Sequence, residues 1–162
     1  MPSESPLQVI IYASPEHEHS AVRQAIASFD LSTDWGLSAN HTEPAIHLGE
    51  TYGTLKAPLG TSDGLADRLR TDAPGTTFLL WQDPHFEEAD GHYVAYAAGV
   101  GSFEATCNAS GAPHIALPGL VASLDEAATL TMAQWLTGPG EAILGTSVRK
   151  IISDYARTLT KA

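Results

Sequence analysis

Four short runs near the middle of the chain set its architecture: TTFLLWQ (Thr76–Gln82), HYVAYA (His92–Ala97), SFEATC (Ser102–Cys107) and PHIAL (Pro113–Leu117). In the first, Phe78 and Leu80 fall on one side of an extended chain while Leu79 and Trp81 fall on the other. A strand that is apolar on both sides belongs at the centre of a sheet. The next three runs follow at short intervals, joined by Gly99-Val100-Gly101 and by Asn108-Ala109-Ser110-Gly111. Intervals that short leave no room for the crossover that parallel strands need, so the middle third reads as an antiparallel meander.

Toward the N-terminus, Leu7–Ala13 (LQVIIYA) is a further strand, and Ser14-Pro15-Glu16 is a helix start with Ser as N-cap and Pro at the first helical position. Val22, Ile26 and Phe29 give that helix a core-facing stripe. Trp35, Leu37 and Ala39 alternate, as do Ile46 and Leu48, which predicts two half-buried strands; Gly53–Gly60 reads as loop. Thr61 or Ser62 caps a short helix that carries Leu65 and Leu69 and closes at Ala73-Pro74-Gly75. Toward the C-terminus, Ser123-Leu124-Asp125-Glu126 has the pattern of a capping box. It opens a helix that runs through Leu130 and Trp135 to Gly138-Pro139-Gly140. A last helix carries Ile143, Leu144, Val148, Ile151, Ile152, Tyr155 and Leu159 on one stripe.

These elements predict one α+β domain over residues 1–162, with residues 1–6 as a disordered leader. The expected architecture is a single, mostly antiparallel sheet of about six or seven strands, helices packed on one face and two C-terminal helices. Hydrophobic residues make up 43% of the chain, enough for a core without disulfides or metal. The opening MPSESPLQVI has no basic segment leading into an apolar one, and no apolar run approaches membrane-spanning length. With one cysteine, Cys107, the reading is a cytoplasmic protein.

Eight Lys and Arg stand against nineteen Asp and Glu, a net charge of −11. Binding to phosphate backbones needs a basic face, so direct nucleic-acid binding is not expected. The last 22 residues are the exception, with Arg149, Lys150, Arg157 and Lys161 against Glu141 and Asp154. Docking of this basic helix on an acidic body accounts for the contrast, and its apolar stripe is also a candidate homodimer contact.

Several local patterns touch on catalysis. Glu16-His17-Glu18-His19 resembles a metal cluster, but on a helix residues two apart diverge by about 200°, so the two histidines point apart. Gly60-Thr61-Ser62-Asp63-Gly64 matches G-x-S-x-G, yet the run before it, TLKAPL, is a poor buried strand, and Ser62 is explained as a helix cap. Cys107 beside Phe103 and Ala105 faces the core, which argues against a thiol nucleophile working with His92 or His114. No phosphate loop or dinucleotide fingerprint is present, and no cofactor or metal is expected.

The densest acidic feature is the loop DPHFEEADGH (Asp83–His92), between two strands. Its spacing fits no calcium loop. Loops on a rigid sheet carry binding, so Asp83, His85, Phe86, Glu87, Glu88 and Asp90 are the candidate contacts for a partner protein with a basic surface, Phe86 being the aromatic anchor. One stretch carries a likeness. Asn108-Ala109-Ser110-Gly111-Ala112-Pro113, continuing through Leu117-Pro118 and Leu124–Ala128 to Trp135-Leu136-Thr137-Gly138-Pro139, resembles the closing segment of immunity proteins from actinobacterial toxin systems. Trp81-Gln82-Asp83-Pro84 with Tyr96 and Phe103 is similar to small proteins of actinobacteria and their phages. The resemblance implies an acidic inhibitor, immunity or modulator protein and assigns no functional residue.

The expectation is therefore a non-enzymatic, acidic, protein-binding module. The alternative is a small hydrolase or metal-dependent enzyme using Ser62 or the Asp83–His92 loop. A mimic of nucleic acid would need acids spaced along a surface rather than one dense cluster.

Overall fold

A computed structural model describes residues 3–37, 44–86 and 88–161. Its centre is a six-stranded antiparallel sheet: β1 (Glu4–Ala13), β2 (Thr51–Pro58), β3 (Thr77–Gln82), β4 (Gly91–Ala97), β5 (Gly101–Cys107) and β6 (Pro113–His114), in the order β2-β1-β3-β4-β5-β6. The expected α+β class and antiparallel meander are thus what the chain forms. TTFLLWQ lies inside the sheet, with Leu80 opposite Val9 on one side and Val94 on the other.

The two faces of the sheet are covered by different parts of the chain. On one, Leu7, Val9, Ile11, Phe78, Leu80 and Val94 pack under α1 (His19–Ser28) and α2 (Thr61–Asp72), which contribute Val22, Ala25, Ile26, Leu65, Ala66 and Leu69. Each of these Val, Leu, Ile and Phe side chains, fully buried, contributes about 1.5–3 kcal/mol. On the other face, Tyr93, Ala95, Phe103 and Cys107 meet Val148 and Ile152 of α6 (Thr146–Thr160), with Leu79, Trp81 and Ile151 packed against them. The expectation of helices on one face therefore changes for the last helix. A strand apolar on both sides requires cover on both, and α6 supplies the second cover by placing its stripe on the sheet.

Other details differ from the sequence reading. Residues 4–6, expected within a disordered leader, belong to β1, where Glu4 and Ser5 pair with Pro58 and Ala57. The segment 51–58 is a strand rather than a loop; at the sheet edge it tolerates the charged side chain of Lys56 and the missing N–H of Pro58, neither of which would suit a central position. Neither of the two expected strands forms around residues 35–37 and 46–48. There Trp35 lies in a turn at φ +59, its ring covering Gly53, and Ala39 lies outside the described residues. Ser14 does not cap a helix: its hydroxyl lies 2.8 Å from Thr76 Oγ1, and a 3-10 turn over Glu16–Glu18 leads into α1.

Between sheet and α6 stand three short helices, α3 (Leu117–Glu126), α4 (Met132–Thr137) and α5 (Pro139–Leu144), where one longer helix was expected. Ser123 lies inside α3. The capping box is instead at α4, where Thr131 Oγ1 accepts from Gln134 N–H and Gln134 Oε1 accepts from Thr131 N–H. Trp135 is buried and donates its indole N–H to Ser123 Oγ at 3.1 Å, while α3 has no buried residue. No helix among the described residues is long and apolar enough to cross a membrane.

Candidate functional site

The positions that concentrate polar chemistry lie where α2 begins over the open ends of β4 and β5. Gly60, at φ +82, turns the chain from β2 into α2 and sets Ser62 and Asp63 in its first turn. Gln82, only 3% exposed, fixes that turn: its side-chain oxygen accepts from Ser62 N–H at 3.3 Å, and its amide donates to Pro58 O at 2.9 Å. Across the sheet, Gln82 is paired with His92 and His92 with Thr106. Glu104, two residues before Thr106, therefore projects from the same face diagonally to His92.

The result is a row of side chains drawn from three elements. Ser62 Oγ lies 2.8 Å from His92 Nδ1. His92 Nε2 lies 3.8 Å from Glu104 Oε2, and Nδ1 lies 3.8 Å from Asp63 Oδ1. Arg70 donates to Glu104 Oε1 at 2.8 Å, to Asp67 Oδ1 at 2.6 Å and to Ser102 Oγ at 3.1 Å, holding the far oxygen of Glu104 away from the histidine. Asp63 and Glu104 are exposed and His92 is half-buried, so the row opens to solvent.

A Ser-His-acid arrangement invites comparison with a hydrolase, and one objection from the sequence falls: a strand does precede the G-x-S-x-G pattern. It is an edge strand, however, and Ser62 is fully buried beneath His92. A nucleophile must reach a carbonyl carbon, and Ser62 has no face left to present. Neither it nor Thr61 forms the α2 cap expected from the sequence: the N-cap is Gly60 without a side-chain bond, and the Ser62 hydroxyl lies 2.8 Å from the imidazole Nδ1 of His92.

The acidic loop is a tight turn closed by His85 N–H to Ala89 O and Glu88 N–H to His85 O, both at 2.9 Å. Phe86 stands at its tip, 97% exposed at φ +37, and its ring meets that of His85 edge-on. Glu88 and Asp90 are exposed beside it. His85 is half-buried with Nδ1 3.5 Å from Glu88 Oε2. Asp83 turns inward and accepts from Gln8 Nε2 at 3.0 Å; burial raises its carboxyl above the usual range, and that hydrogen bond acts in the opposite sense. Glu87 lies outside the described residues.

The remaining candidates separate. His17 is exposed, and His19 lies with Nε2 3.1 Å from Ser14 O. Glu18 turns inward from this cluster. It is buried and accepts from Gly75 N–H and Thr76 Oγ1, both at 2.9 Å. Cys107 faces the α6 side of the sheet and His92 the α2 side, and burial pushes the thiol up to about 11. No family of known proteins, no curated protein and no solved structure matches the chain.

Sequence reasoning missed Asp63, Arg70 and Glu104 as members of one site. They are 41 positions apart at the extremes, and only strand register brings them to one histidine. The available signal was Glu104 alone: a charge at an alternate position of a strand whose other face, Phe103 to Cys107, is apolar.

Proposed function

We propose that the protein acts by binding another protein through the Phe86 turn, with Glu88 and Asp90 attracting a basic surface. The observation that carries this reading is Phe86 itself. A large aromatic ring at 97% exposure buries nothing in the fold, and a positive φ costs a non-glycine residue about 1 kcal/mol or more. Strain held at an exposed tip without return in packing is the pattern of a contact residue. The net charge of −11 and the resemblance to immunity proteins support an inhibitor or modulator role in the cytoplasm, where a single free cysteine is at home. The stripe of α6 is engaged with the sheet through Val148 and Ile152, which favours a different protein over a second copy as the partner.

The test is capture from lysate of the source cell or its host by the wild-type protein and by Phe86→Ala, each washed at about 0.1 M and about 1 M salt. Between these the screening length falls from about 10 Å to about 3 Å. A stoichiometric partner that is held by the wild type, released by salt and lost with Phe86→Ala is the expected outcome. Equal capture by the variant, or capture insensitive to salt, overturns the reading.

A further inference from the structure

We propose that Asp63, His92 and Glu104 form a binding site for a divalent transition-metal cation, with Zn2+ the preferred occupant. One ligand atom from each of the three residues lies within 4.8 Å of the others, and they come from α2, β4 and β5, so the site is built by tertiary structure rather than by local sequence. Bonds of about 2.0–2.1 Å to a tetrahedral zinc place two ligand atoms about 3.4 Å apart. The observed 3.8 Å between His92 Nε2 and Glu104 Oε2 is within a small side-chain adjustment of that, while Asp63, whose Oδ1 lies 3.8 Å from Nδ1, must swing its exposed side chain toward Nε2 to complete the set.

Two of the three ligands are already oriented by a neighbour. Ser62 Oγ, fully buried, lies 2.8 Å from His92 Nδ1; in the tautomer with the proton on Nδ1 it accepts that N–H, which leaves the Nε2 lone pair on the side of Glu104. Arg70 occupies Glu104 Oε1 and leaves Oε2 facing the histidine. Partners of this kind fix tautomer and ring direction, and removing one typically weakens metal binding by about 10- to 100-fold. Two carboxylates and a neutral imidazole balance a divalent charge, and the imidazole selects zinc-like cations over Mg2+ and Ca2+, which take oxygen. Three protein ligands leave a fourth position open toward solvent.

The test is calorimetric titration of the whole protein with ZnCl2 and, separately, MgCl2, alongside NMR of the His92 ring protons. The expected result is one Zn2+ per chain with a shift of the His92 resonances and no heat with Mg2+. The double variant Asp63→Asn/Glu104→Gln, which alters exposed side chains only, is expected to bind at least tenfold more weakly, and Ser62→Ala about tenfold more weakly. Absence of one-to-one binding to the wild type, or binding by the double variant at wild-type strength, overturns the proposal. In the latter case the zinc is held elsewhere among the seven histidines.

Discussion

Gly145 lies against Phe103: a methyl group on its α-carbon would stand 2.6 Å from both Cβ and Cδ1 of that side chain. Gly145 also ends α5 and starts α6 at φ +59, so one residue breaks the helix and lets α6 descend onto the sheet. Gly145→Ala combines left-handed strain of about 1 kcal/mol with the overlap of a buried ring, and overpacking typically costs about 1–3 kcal/mol. Urea unfolding of this variant is expected to show a loss of about 3 kcal/mol. A loss under about 1 kcal/mol would mean that α6 docks without this close approach.

Glu18 ties the start of α1 to the start of β3 through Gly75 and Thr76, 57 and 58 residues away. Glu18→Ala removes both acceptors and strands a buried N–H and a hydroxyl, a change worth about 2–4 kcal/mol. Glu18→Gln retains one acceptor and is expected to recover part of that loss. The comparison of the two in thermal melts checks whether the hydrogen bonds, rather than the volume, matter.

Where hydrophobic alternation was strong, the sequence carried the fold. TTFLLWQ, HYVAYA and SFEATC became β3, β4 and β5 because each strand has an apolar face that only a sheet can pack. It was ambiguous where turns and edges decide. Thr51–Pro58 contains Gly53, Lys56 and Pro58, which read as loop, and it is a strand because β1 offers it an unpaired edge. Ser123-x-x-Glu126 and Thr131-x-x-Gln134 are both capping-box patterns, and only the burial of Trp135 selects the second. The Phe86 loop was visible as a cluster of acids. The Asp63–His92–Glu104 row was not, because its members share no local spacing and meet through the register of β4 with β5.

Alkaline pH is expected to unfold the protein early. Burial raises Cys107 from 9.0 to about 11 and raises Tyr12 and Tyr93 as well. An acid whose folded pKa lies above its unfolded value contributes full stability below the unfolded value, and that contribution is lost as pH rises through the folded one. For Cys107 the window is pH 9 to about 11 and the loss is on the order of 2 kcal/mol. Urea midpoints measured across that window should fall for the wild type and fall less for Cys107→Ala. Equal slopes would remove the thiol from the account.

Local stability is expected to be uneven. Between Leu117 and Leu144 the sole large side chain that is buried among the described residues is Trp135, while Leu117, Val121, Leu124 and Met132 are exposed. A segment held by so few contacts opens at low free energy. In hydrogen exchange, the amides of α3 should exchange orders of magnitude faster than those of β1 and β3. Trp135→Ala should accelerate α3 further without changing the sheet. Uniform protection across α3 and β3 would contradict this.

Phe86→Gly separates folding from binding at the tip of the acidic turn. Glycine accepts φ +37 without strain, a gain of about 1 kcal/mol, while its extra freedom in the unfolded chain takes back about 0.4–1 kcal/mol. The fold therefore neither needs nor misses the ring, and the unfolding free energy from urea titration should stay within about 1 kcal/mol of wild type on the stabilising side. A buried side chain behaves differently: Leu80→Ala should cost about 2–5 kcal/mol. If the ring is the anchor of a protein contact, Phe86→Gly loses its partner at unchanged or improved stability. A variant that instead unfolds well before wild type would assign the ring to the fold and leave the acids without an anchor.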